Sequence, residues 1–142
     1  MTITPITFAA LNSTVVLADL VEIAKDDATG LHTIYRSGAY NLIRYEKQED
    51  RDKDFDGMKS AFIALHGDEA LEGRYGVMLP AEISEVVRDD MMQLHTTYKS
   101  GIHNTIKYPD KAQRDTDFIR LRNALGGAEE TADTGPAGLS KV

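Results

Sequence analysis

The chain repeats itself. Residues 18–62 align with residues 81–125 at a constant offset of 63 and without a gap, and 18 of those 45 pairs are identical. The longest matched stretch sets Asp26 to Gly38 against Asp89 to Gly101. Two copies are too few to close a stacked solenoid, so the repeat predicts two like halves packed about a pseudo-two-fold axis.

Apolar spacing predicts what each half is made of. Placed at about 100° per residue, Leu20, Ile23, Ala24, Leu31 and Ile34 fall in one arc, which Ile83, Val86, Val87 and Leu94 fill in the second copy. That pattern reads as an amphipathic helix. Ser37-Gly38 and Ser100-Gly101 read as its C-terminal stops, and Pro80 suits a first helical turn. Asn41 to Tyr45 and Asn104 to Tyr108 fit a helical turn and an extended piece equally well. A second helix follows in each half, through Arg51, Phe55, Met58, Ala61, Phe62 and Leu65, and through Arg114, Phe118, Leu121, Ala124 and Leu125. Residues 66–79, with Gly67, Gly73 and Gly76, read as the connecting loop. The expected fold class is therefore all-α: a helical bundle of two tandem pseudo-two-fold-related helical hairpins. It forms a single domain over residues 1–127, followed by a flexible or partner-bound tail over 128–142.

Charge and composition narrow the function classes. The net charge is −7, and bulk repulsion of this sign predicts no nucleic-acid partner. No run approaches the roughly 18 apolar residues that cross a bilayer, and no targeting segment is recognisable, so no membrane partner is expected. The expected location is the cytoplasm or a viral particle. The absence of cysteine removes disulfides, thiolate metal sites and cysteine nucleophiles.

Three groups of residues are candidates for chemistry. Asp27 and Asp90 fall at the centre of the apolar arcs, so the helical reading makes them a buried polar pair that needs partners. His32, Tyr35 and Arg36, repeated as His95, Tyr98 and Lys99, lie at spacings of three and four along one helix edge, where imidazole, phenol and cation suit an anionic ligand. Ordinary packing and helix-end electrostatics explain the same residues without a ligand. The acidic stripe Asp19, Glu22 and Asp26, with Glu82, Glu85 and Asp89, is expected on a solvated face. Within it, Glu82-Ile83-Ser84-Glu85 is similar to the E-x-x-E of all-α nucleotide pyrophosphatases, but the second acidic motif of that family has no counterpart.

Nucleotide cradles, zinc-protease helices, serine-hydrolase elbows and di-iron spacings are absent. No catalytic residue, metal ligand or cofactor is assigned. The expected function is a non-enzymatic helical interaction or assembly protein, such as a phage component, acting as a homo-oligomer and possessing itself and other assembly proteins as partners. The alternative is a small metal-dependent enzyme or sequesterer of phosphorylated metabolites or nucleotides.

Overall fold

The computed structural model describes residues 5–7, 14–126 and 140–141. The chain divides into two compact units, residues 1–79 and 80–142. Neither is a helical hairpin. Each repeat is three antiparallel strands followed by one helix, so the all-α expectation is corrected to a β-rich fold.

In the first unit, β1 (Pro5–Thr7) and β2 (Thr14–Val16) pair with each other. A five-stranded antiparallel sheet follows, in the order β5-β4-β3-β7-β6. It comprises β3 (Leu20–Lys25), β4 (Gly30–Tyr35), β5 (Tyr40–Arg44), β6 (Leu71–Glu72) and β7 (Gly76–Met78), with α1 (Gln48–His66) between β5 and β6. The expected connecting loop over residues 66–79 thus contains the two strands that complete this sheet. At Gly76 the β7 backbone lies so close to β3 that a Cβ would stand 2.5 Å from the Ile23 carbonyl oxygen, which explains the glycine there.

The second unit holds β8 (Ile83–Arg88), β9 (Gln93–Tyr98), β10 (His103–Lys107), α2 (Lys111–Ala124) and β11 (Ser140–Lys141). Its sheet runs β10-β9-β8-β11, all antiparallel. Of the expected flexible or partner-bound tail, only Ser140–Lys141 are described, on the free edge of β8. Its other residues lie outside the described part of the chain.

The two helices form close to where their spacing places them. Phe55, Met58 and Phe62 are buried on α1, and Phe118 and Leu121 on α2. Asp110 caps α2 by accepting a 2.8 Å bond from the Gln113 amide, and glycines with positive φ, Gly67 and Gly126, end the helical stretches. The preceding segment was misread because Leu20 to Ala24 are all buried, on both faces of β3. A strand covered on both sides loses the polar-out alternation, and its buried run, apolar but for Glu22, also satisfies a helical arc. The segment breaks at Asp26 to Gly30 into a hairpin turn: one Asp26 carboxylate oxygen accepts from the Ala28 and Gly30 amides, each at 2.9 Å.

What docks each helix on its hairpin is a buried arginine. The Arg51 side chain is 1% exposed, and its Nη1 donates to the Gly30 carbonyl at 2.7 Å while its Nε donates to Asp52 at 2.8 Å. Arg114 repeats the arrangement with the Asp89 and Gln93 carbonyls, at 2.7 and 3.2 Å, and with Asp115 at 2.8 Å. A second tie joins Tyr45 to Asp54 at 2.7 Å and Tyr108 to Asp117 at 2.6 Å. Removing either guanidinium leaves the turn carbonyls it serves without their donor. Arg51→Met and Arg114→Met are each expected to destabilise the chain by about 3 kcal/mol in urea unfolding, far above the cost of a surface arginine.

Candidate functional site

The hairpin geometry redistributes the sequence candidates. Asp27 and Asp90 are exposed on the β3–β4 and β8–β9 turns, so the expected buried pair does not exist. The helical-face reading placed them in the core; a turn places them in water. The acidic stripe is also broken up, because Glu22 is fully buried on β3 and Asp26 and Asp89 are turn residues, whereas Asp19 is exposed.

His32 and Tyr35 do not share an edge. Three residues apart on a strand, they project to opposite faces of the sheet, as do His95 and Tyr98. Tyr98 is 2% exposed and belongs to the core, whereas Tyr35 is half-buried. Arg36 and Lys99 lie just past the strand ends, exposed, where their amides donate to the Asp19 and Glu82 carbonyls at 2.7 and 2.8 Å.

Each histidine is tied to the turn that precedes it. His32 Nε2 lies 2.9 Å from Asp26 and His95 Nε2 lies 2.7 Å from Asp89, each on the carboxylate oxygen not used by the turn amides. Burial opposes ionisation of Asp26. The His32 hydrogen bond and the Gly30 and Ala28 amides outweigh it, and hold the carboxyl below its ordinary value of 3.8. Asp89 is depressed in the same way, burial opposing and His95 with the Met91 and Gln93 amides prevailing. A carboxyl with a lowered native pKa contributes stability above its unfolded value, which is lost as pH falls through the native one. An Asp26→Asn, Asp89→Asn double variant is therefore expected to be less stable at neutral pH and to lose less stability between about pH 5 and pH 2, measured by urea unfolding across that range.

Beyond these shared ties the two sheets present different surfaces. On the first, His32 stands opposite Leu42, and Ile34 opposite Tyr40, whose hydroxyl lies 2.5 Å from His32 Nδ1. On the second, His95 stands opposite Thr105, and Thr97 opposite His103. His95 Nδ1 is 3.3 Å from His103 Nε2, with ring centroids 5.3 Å apart. Burial and the charge of His95 push the His103 pKa down. Sequence reasoning missed His103, Thr97 and Thr105; the available signal was the contrast of Tyr40, Ile34 and Leu42 with them at offset 63.

A cavity of about 370 Å³ opens in the first unit, lined by Asp19, Tyr35, Arg36 and Ser37. Three of the sequence candidates, Tyr35 and Arg36 of the histidine strip and Asp19 of the acidic stripe, meet there. His32, His95, Tyr98 and Lys99 do not line it. Among the described residues no three His, Cys, Asp or Glu side chains converge as a metal cluster.

No protein-family model and no curated protein matches the chain. Among solved structures it aligns with the LytTr DNA-binding domain of a methyl-accepting/DNA response regulator from Bacillus cereus. The alignment has 9% identity over 85% of this chain and 96% of that one, with a TM-score of 0.45. A likeness of that size lends the present chain no function.

The functional expectations are corrected together. The helical assembly or phage-component reading, with its homo-oligomer, falls with the helical bundle on which it rested, since the chain is β-rich. The phosphorylated-metabolite alternative also falls, because the three-residue strips it required do not form. The exclusion of nucleic acid is withdrawn as well, because it rested on bulk charge and that charge is unevenly divided along the chain. Residues 18–65 hold ten acids and seven bases, whereas residues 81–125 hold seven of each. Among the described residues no helix is long and apolar enough to cross a membrane.

Proposed function

We propose that the chain is a small-molecule binding protein whose ligand sits in the first-unit cleft lined by Asp19, Tyr35, Arg36 and Ser37. The observation that carries this reading is the cleft itself, about 370 Å³ and within the range of ligand sites, with acid, base, phenol and hydroxyl in one lining. One carboxylate and one guanidinium suit a ligand bearing both an ammonium and a carboxylate, such as an amino acid or short peptide. Arg36 supplies the planar cation that carboxylates favour, Asp19 the counter-charge, and Tyr35 and Ser37 the hydrogen bonds that orient the ligand. The backbone bond from Arg36 to Asp19 fixes the spacing of the two poles.

Thermal denaturation against a panel of free amino acids and dipeptides tests the reading. A ligand present at about 100 times its Kd adds about 2.7 kcal/mol, enough to raise Tm by several degrees. At least one zwitterion is expected to do so, and Arg36→Ala to abolish the rise while Lys99→Ala, the equivalent change in the second repeat, leaves it. A flat panel overturns the reading, as does a rise that survives Arg36→Ala.

A further inference from the structure

The second repeat carries an arrangement that the first lacks and that the cleft does not use. On the face of its sheet shared by His95, Thr97, His103 and Thr105, three donor atoms form a nearly equilateral triangle. His95 Nδ1 to His103 Nε2 is 3.3 Å, His103 Nε2 to Thr105 Oγ1 is 3.2 Å, and Thr105 Oγ1 to His95 Nδ1 is 3.2 Å. Ligands about 2.05 Å from a tetrahedral cation stand about 3.3 Å from one another, so the triangle has the dimensions of one face of such a site.

The surroundings fit the same use. Asp89 accepts from His95 Nε2 at 2.7 Å, which places the proton on Nε2 and leaves the Nδ1 lone pair directed at His103. This carboxylate–imidazole support is the arrangement that orients metal-bound histidines. Thr97 Oγ1 holds the other His103 nitrogen at 3.2 Å. The Thr105 hydroxyl has one hydrogen for two facing nitrogens, so it satisfies one of them at a time. Across the first repeat the same positions are Tyr40 and Leu42, a phenol and an alkyl group that cannot chelate.

We infer that His95 and His103, with Thr105 as a weak third ligand, bind one divalent late transition cation on the exposed face of β9 and β10, with water completing its shell. Two imidazoles select Cu²⁺ over Zn²⁺ and discriminate against Mg²⁺, which prefers oxygen ligands. The inference is independent of the cleft, which lies in the other unit.

The test uses the full chain. Calorimetric titration with Zn²⁺ and with Cu²⁺ is expected to give one cation per chain, tighter for Cu²⁺, with no heat from Mg²⁺. His103→Gln, at an exposed position, and the pair His103→Tyr with Thr105→Leu, which installs the residues of the first repeat, are each expected to weaken binding at least tenfold. Asp89→Asn, which removes the charge that orients His95, weakens it by about tenfold. His32→Gln and His66→Gln leave it unchanged. Electron paramagnetic resonance of bound Cu²⁺ shows two nitrogen ligands in the unaltered chain and fewer in His103→Gln. Absence of binding by both cations overturns the inference. So does binding that persists unweakened in His103→Gln, or a Cu²⁺ spectrum that His103→Gln does not alter.

Discussion

Each repeat is held together at one atom group, the guanidinium near the start of its helix. Arg51 and Arg114 are almost wholly removed from water, where an unpaired cation costs several kcal/mol. The cost is offset because each fork meets main-chain carbonyls of a β-turn on one side and a carboxylate on the other. This geometry joins two elements that are about 20 residues apart in sequence, so neither turn nor helix reaches its position alone. The cations on the adjoining strand reinforce the contact: Lys25 lies 4.9 Å over Phe55, and Arg88 lies 4.1 Å over Phe118 while bonding Asp115 at 3.0 Å.

That tie accounts for seven of the identical pairs. Asp26/Asp89, His32/His95, Tyr45/Tyr108, Arg51/Arg114, Asp52/Asp115, Asp54/Asp117 and Phe55/Phe118 are identical, and every one of them belongs to the turn, the clamp or the helix contact. Three of the differing pairs, Ile34/Thr97, Tyr40/His103 and Leu42/Thr105, share the sheet face that carries His32 and His95. The clamp is thus kept in both copies, while the residues beside each histidine differ. Recurrence of His32 as His95 is a structural signal, because both serve the turn carboxylate.

The duplication and the two helices were legible in the sequence because each rests on short-range chemistry, aligned residues and i to i+4 spacing, whereas Gly38 and Gly101 stop strands rather than the expected helices. The hairpin between them was not. Leu20, Ile23, Ala24, Leu31 and Ile34 occupy one arc at helical pitch only by coincidence with a strand buried on both faces, and periodicity alone does not separate the two. The Asp26 to Gly30 turn and the density of Val, Ile and Thr in the second copy were the contrary signs. One wrong period then scattered the candidate site, since a spacing of three that gathers His32 and Tyr35 on a helix separates them across a sheet. Residues of the fold suffered less than residues of the site for a physical reason: burial is common to both periods, whereas side-chain direction is not.

A single carboxylate joins scaffold and surface in the second repeat. One oxygen of Asp89 accepts the Met91 and Gln93 amides at 2.8 and 3.1 Å, and so shapes the turn whose carbonyls receive Arg114. The other oxygen holds His95 at 2.7 Å and sets the direction in which its free nitrogen looks. Placement of the imidazole is thus inherited from the fold and requires no residue of its own. Once the first copy had the same Asp26–His32 tie, two changes on the neighbouring strand were enough to separate the surfaces, a phenol against an imidazole and an alkyl group against a hydroxyl. A duplicated clamp of this kind lets one sheet face vary while the turn, the helix and the core that support it stay fixed.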